Sequence, residues 1–170
     1  MMLPACRAND SIFKALIGSA IKSGNTRKVY EVNGYPYLVI KEDTNSGNVS
    51  NETEAKLYFT AVIKKFQNVL ECIADIISIS ESGKYLIMEK LDTNIPNNLR
   101  PASNMPAEVS DNKLSNFGVT LNGKKVKCLD YAQLKNDEKP EEISGNVRQT
   151  GLPSAEAVKE MEKTIKIISG

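Results

Sequence analysis

Two Asn-Gly dipeptides, Asn33-Gly34 and Asn122-Gly123, limit the fold of this chain more than any other feature. Each separates two short runs that favour extended backbone: Lys28–Val32 from Tyr35–Lys41, and Phe117–Leu121 from Lys125–Leu129. Asn and Gly tolerate the backbone that a tight reversal imposes, so Asn-Gly between such runs is the strongest short-range hairpin signal. Two more strand-like runs, Ile73–Ile79 and Tyr85–Met88, flank a Ser82-Gly83 turn. Antiparallel sheet is therefore the expected frame.

Helical spacing is clearest over Asn51–Phe66, where Leu57, Tyr58, Ala61, Val62 and Lys65 recur behind Glu54. A shorter pattern over Ser11–Ile21, capped by Asn9, Asp10 or Ser11, predicts a first helix with Ile12, Leu16, Ile17 and Ala20 on one face. Ser154 is the expected cap of a last helix reaching about Ile167. Asp43–Asn51 reads as a loop, and the Asn- and Pro-rich stretch Asp92–Pro106 reads as irregular. Lys135–Gln149 is charged and poor in apolar residues, which predicts a mobile loop. The element order predicts an α+β fold, and 170 residues predict one domain.

Composition removes whole classes of chemistry. There is no histidine, so Ser-His-Asp and Cys-His nucleophilic sites, His-ligated metals and an imidazole base are excluded. Lys and Arg number 22 against 21 Asp and Glu, which gives no electrostatic reason to expect a nucleic-acid or anionic-membrane surface. Cys6, Cys72 and Cys128 are an odd, widely spaced set without C-x-x-C, so neither a disulfide framework nor a Cys-only zinc site is expected. The apolar runs fall far short of a membrane span, and no signal-peptide core precedes them. A soluble protein of a reducing compartment is expected.

Four pieces of sequence remain that can carry chemistry. Lys41 ends the apolar run Leu38-Val39-Ile40-Lys41, where a lysine usually just reaches solvent. Glu54 shares its helix face with Leu57, Tyr58 and Ala61. Its competitor Glu52 has Lys56 one turn on, whereas Glu54 has Tyr58 there, so Glu54 is the one expected to point inward. Asp111–Asn116 spells D-x-K-x-x-N, and Asp130 stands just beyond the second hairpin. Two Asp and an Asn in this order suit a Mg2+–phosphate site, because Mg2+ takes hard oxygen ligands and few of them from protein. Taken singly, Asp111 and Asn116 are ordinary turn formers.

Together these pieces resemble the protein-kinase superfamily. Asp111–Asn116 looks like the H-R-D-L-K-x-x-N catalytic loop, Asp130-Tyr131-Ala132 like D-F-G, and Leu38–Lys41 like V-A-I-K, with Glu54 as the helix-C partner of the lysine. Tyr85–Met88 followed by Glu89-Lys90-Leu91 resembles the gatekeeper and hinge, with Met88 as gatekeeper. The resemblance covers roughly residues 20–135, with all five parts in the family's order. It implies a kinase-like fold with an N-lobe and hinge over about 1–91 and a reduced C-lobe over about 92–170. It further implies ATP and Mg2+ (Mn2+ as an alternative) as cofactors, with ATP phosphates on Lys41, metal on Asn116 and Asp130, and Asp111 orienting a substrate hydroxyl. Lys113 is then expected near the γ-phosphate, with Gly24 and Val29 over the nucleotide and Met88, Glu89 and Leu91 against adenine.

The departures are specific. Counted back from Val29, the pattern G-x-G-x-x-G-x-V keeps only Gly24, with Lys22 and Arg27 at the other glycine positions. Val109-Ser110 replace His-Arg before Asp111, and Ala132 replaces the glycine after Asp130. Only the stretch to Gly170 follows Asp130, and Thr150–Glu156 matches the end of an activation segment weakly. The expected reading is a minimal kinase of the kind found among bacterial effectors and phage-encoded kinases. The resemblance implies a constitutively active, monomeric Ser/Thr protein kinase, cytoplasmic or delivered into a host cell without a cleavable signal. The runner-up is a weak or inactive kinase-like nucleotide-binding module.

Overall fold

The computed structural model describes residues 2–152 apart from 25, 46, 48, 101 and 102, together with 154, 157, 159 and 160. A short helix α1, Asp10–Lys14, begins where Asn9 Oδ1 accepts from the Ser11 N–H at 3.0 Å. The chain then turns extended into β1, Ile17–Ser23, which pairs antiparallel with β2, Arg27–Val32. The expected helix over Ser11–Ile21 is thus half helix and half strand. Phe13 and Leu16 are buried, whereas Ile12 and Ile21 are about half exposed. The Gly-, Ser- and Ile-containing run 17–23 has little intrinsic helix preference, and as a strand it pairs its backbone with β2.

The first hairpin continues from β2 into β3, Tyr35–Asp43. Gly34 and Gly123 turn the two hairpins at φ +82° and +70°, a region that costs glycine almost nothing. After β3 come the helices α2, Ser50–Ile63, and α3, Gln67–Cys72, then strands β4, Ile76–Ile79, and β5, Tyr85–Glu89. The main sheet has the order β1-β2-β3-β5-β4, with antiparallel neighbours throughout. This is an α+β fold.

The two-residue period of the strands sorts the side chains into two cores. Leu38, Ile40, Tyr85 and Ile87 face α1, together with Phe13, Leu16 and Val32. Val39, Leu86 and Met88 face the other way, toward Leu57 and Ala61 of α2. Lys41 has the parity of Val39. The register that pairs Val39 with Met88 and Lys41 with Leu86 therefore sends this lysine to the α2 side rather than to solvent. On α2, Glu54, Leu57 and Ala61 form the buried stripe. Val62 is 45% exposed and Lys65 adopts φ +56° beyond the helix end, so neither belongs to that face as the spacing predicted.

Beyond β5 the chain builds two smaller sheets. One joins β6, Leu91–Asp92, to β8, Phe117–Thr120, and β9, Val126–Cys128. The other pairs β7, Asn104–Pro106, with β10, Val147–Gln149. The irregular reading of Asp92–Pro106 is thus incomplete, because the stretch ends in a strand. Lys135–Gln149, expected as a mobile loop, is anchored instead. It ends in β10, buries Ile143, and its Ser144 donates through N–H and Oγ to Glu108 Oε1 at 2.7 and 2.6 Å. Charge density hid the apolar anchors Ile143 and Val147. At the expected final helix, Ser154 Oγ accepts from the Ala157 N–H, and most of that helix lies outside the described residues. Among the described residues, no helix is long and apolar enough to cross a membrane.

Cys72 and Cys128 are buried and Cys6 is exposed. Burial pushes the Cys72 thiol up to about 12 and the Cys128 thiol higher still. A thiolate-selective reagent at pH 8 is expected to modify Cys6 alone in the native protein and all three cysteines after denaturation. Counting released chromophore checks this.

Candidate functional site

Lys41 is 3% exposed, and a buried ammonium needs a partner. Its Nζ lies 2.9 and 3.1 Å from the two carboxylate oxygens of Glu54 and donates to the Leu129 carbonyl at 2.6 Å. Burial pushes its pKa down, and the charge of Glu54 opposes that shift. Glu54 is fully buried and also accepts from the Tyr131 N–H at 3.1 Å. Glu52 instead pairs with Arg7 at the surface. The side chain of Tyr131 is buried and donates to the Ala74 carbonyl at 3.0 Å, which fixes the segment after Asp130 against the core.

The second Asn-Gly hairpin assembles the acidic part. β8 starts directly after Asn116 and β9 stops two residues before Asp130. Because Phe117 is paired with Cys128, the residues flanking the ladder meet, and the Leu129 N–H donates to the Asn116 carbonyl at 2.8 Å. Asn116 is buried, and its Nδ2 donates to the Asp111 carbonyl at 3.3 Å. Asp111 accepts from Lys113 Nζ at 3.2 Å, while the Lys113 side chain is 74% exposed.

Asp130 does not stand alone. Arg27, the first residue of β2, reaches over with Nη2 2.5 Å from Asp130 Oδ1 and Nη1 3.0 Å from Glu54 Oε1. Burial pushes the Asp130 pKa up, but the charges of Lys41 and Arg27 outweigh it and hold the group at about 2. For Arg27, burial lowers the pKa and the charges of Glu54 and Asp130 raise it by more. Arg27, Lys41, Glu54 and Asp130 thus form one compact cluster of two cations and two anions.

This cluster opens on a cavity of about 340 Å³ lined by Lys22, Gly24, Arg27, Asp111, Asn116 and Asp130, with Lys41 at its wall. A second cavity of about 360 Å³ continues from it, lined by Ile21, Val39, Met88, Glu89 and Leu91. Lys22, Val29, Lys41 and Leu129 line both. The mouth is polar on one side and apolar on the other. At the apolar end Glu89 Oε2 accepts from Lys127 Nζ at 2.8 Å, and the same ammonium holds Asp75 Oδ1 at 3.0 Å. That clamp ties β5 to β9.

No group of three or more His, Cys, Asp and Glu side chains among the described residues could hold a metal. Asp130 and Asn116, both with hard oxygens, line the polar cavity, and the Asn116 amide is oriented by its bond to the Asp111 carbonyl. That sparse donor set fits Mg2+, which completes its shell with phosphate and water, and does not fit zinc.

The fold therefore brings Gly24, Lys41, Asp111, Asn116 and Asp130 to the polar cavity and Met88, Glu89 and Leu91 to the apolar one, with Val29 at the join. Lys113 lines neither. Sequence reasoning missed the roles of Arg27 and Lys127. Arg27 had a signal: a large cation at a position where the kinase-like pattern wants glycine.

No protein-family model matches the chain, and no curated protein does. Among solved structures, the apo form of a pseudokinase aligns at 12% identity and a TM-score of 0.47, over 82% of this chain and 66% of that one.

Proposed function

We propose that this chain is an ATP- and Mg2+-dependent Ser/Thr protein kinase of reduced size, active without prior phosphorylation. In this reading α2 serves as helix C, β5 to β6 as the hinge, and the segments from residue 92 onward as a small C-lobe. The observation that carries the reading is the buried Lys41–Glu54 pair, opening on the cavity that Asp111, Asn116 and Asp130 share. Burying a lysine is costly even when it is paired, and a charged pair kept at the wall of a cleft, with a helix carboxylate holding the lysine, supports a role for it in binding phosphate.

The residues divide the work by position. The apolar cavity takes the adenine between Val29 and Leu129, against Met88, Glu89 and Leu91. Lys41, held by Glu54, pairs with the α- and β-phosphates. Asn116 and Asp130 would hold Mg2+, which neutralises phosphate charge when bound. Asp111 orients the substrate hydroxyl and receives its proton, and Lys113, on the rim beside Asp111, balances the γ-phosphate. Positioning and electrostatics supply most of the rate, so no histidine is required. The missing arginine before Asp111 removes the usual sensor of activation-loop phosphorylation, which supports constitutive activity. A protein substrate, a monomeric state, and action in the cytoplasm or inside a host cell belong to the same proposal.

One observation favours a second reading, a nucleotide-binding module without transfer: Arg27 already occupies Asp130. Incubation with γ-labelled or α-labelled ATP, Mg2+ and dephosphorylated casein separates the two. The kinase reading expects label on casein or on the chain itself from the γ position only, abolished by EDTA. Absence of label with ATP-dependent thermal stabilisation supports the binding module. Label from the α position overturns both in favour of nucleotidyl transfer.

A further inference from the structure

Arg27 stands where a kinase-like glycine loop would present bare backbone to a phosphate. Its main chain is pinned: the Arg27 carbonyl accepts from the Gly24 N–H at 2.9 Å, and Arg27 pairs with Asp43 on β3. The guanidinium, at the end of a long side chain, is the part able to move. Its side chain is 11% exposed and lines the polar cavity. Nη1 lies near Glu54 but makes no hydrogen bond there, so the fork is incompletely used. Glu54, meanwhile, is already engaged by Lys41 and by the Tyr131 N–H. The pairing of Arg27 with Asp130 therefore neutralises the acidic wall of an otherwise anion-seeking cavity.

We infer that Arg27 is a phosphate-binding residue of this site, parked on Asp130 in the nucleotide-free protein and turning to the polyphosphate when a nucleotide enters. This rests on the proposed nucleotide site. With Lys22 and Arg27 at glycine positions, close approach of phosphate to backbone N–H groups is replaced by side-chain cations. Guanidinium suits this role because its planar fork pairs with two phosphate oxygens at once, which an ammonium does not. A dication arriving at Asp130 is repelled by the parked Arg27, and a polyphosphate arriving beside it draws Arg27 away. Metal and nucleotide consequently assist each other, and linkage requires the assistance to be reciprocal.

The test measures binding, not turnover, on wild type, Arg27→Ala and Arg27→Lys. ATP without metal, adenosine, and Mn2+ alone are titrated separately, by calorimetry for the nucleotides and by electron paramagnetic resonance for Mn2+. Loss of a charged, two-pronged contact predicts that Arg27→Ala weakens ATP by about tenfold or more. Adenosine binding stays within about twofold, which also reports that the site is folded, and Mn2+ alone binds more tightly. Arg27→Lys lies between the two for ATP. If ATP and adenosine weaken equally in Arg27→Ala, or if ATP is unaffected, the inference is overturned while the nucleotide site stands. If wild type binds neither ATP nor adenosine, the nucleotide site itself is refuted and the inference with it.

Discussion

Glu54→Ala is expected to lose about 3–5 kcal/mol of folding stability, the range for removing one partner of a buried ion pair. Glu54 is fully buried, and its loss leaves the Lys41 ammonium and Arg27 Nη1 without their anion and the Tyr131 N–H without its acceptor. Against a total of about 5–15 kcal/mol for a domain, that is a large share. Urea unfolding reads it as a lower midpoint with an unchanged slope. Glu52→Ala is the contrast, because its pair with Arg7 is at the surface, with side chains 26% and 51% exposed. Such pairs contribute at most about 1 kcal/mol. Adding Lys41→Met to a Glu54→Leu protein should recover part of the loss, since an apolar pair of similar volume removes the stranded charge. Equal losses from the Glu54 and Glu52 variants would mean that the buried cluster contributes no more than a surface ion pair.

Asp130→Ala carries the second large effect, on transfer rather than on folding. If Asp130 holds the metal, its removal should cut γ-phosphate transfer by about 10²–10³-fold, the loss typical of one preorganised electrostatic contact. Its side chain is 40% exposed, and Arg27 retains Glu54, so the urea midpoint should move less than in Glu54→Ala. Raising Mg2+ should not restore the rate, because the missing ligand is a protein oxygen. Transfer that survives Asp130→Ala at near wild-type rate would place the metal elsewhere.

The legible part of the fold was the part encoded locally. Asn33-Gly34 and Asn122-Gly123 announced both hairpins, and the helical spacing around Glu54 announced α2. Strand β1 was not legible, because Ile12, Leu16 and Ile17 also fit a helix, and only the free edge of β2 decides for a strand. The β7–β10 pair joins residues 104–106 to 147–149 through three-residue strands, too short to show alternation. At the site, helix spacing marked Glu54 as inward-facing, while its pairing with Lys41 was an expectation of the kinase resemblance alone. The grip of Arg27 on Asp130 spans residues far apart in sequence and has no periodic signature. Its trace in the sequence is an arginine at a position where the kinase resemblance implies glycine. Lys127 is similar: in sequence it is one of several lysines in a hairpin, and its place across from Asp75 and Glu89 makes it a clamp.

In the proposed function, Lys41, Asn116 and Asp130 form one nucleotide-phosphate and metal site. A crystal structure of the protein with a non-hydrolysable ATP analogue and Mn2+ tests it most directly. The expected result is an anomalous Mn2+ peak bound by the Asp130 carboxylate and the Asn116 amide oxygen, with phosphate oxygens on Lys41 Nζ and the base between Val29 and Leu129. A nucleotide bound away from Lys41, or a metal bound while Asn116 and Asp130 stay unengaged, would contradict it.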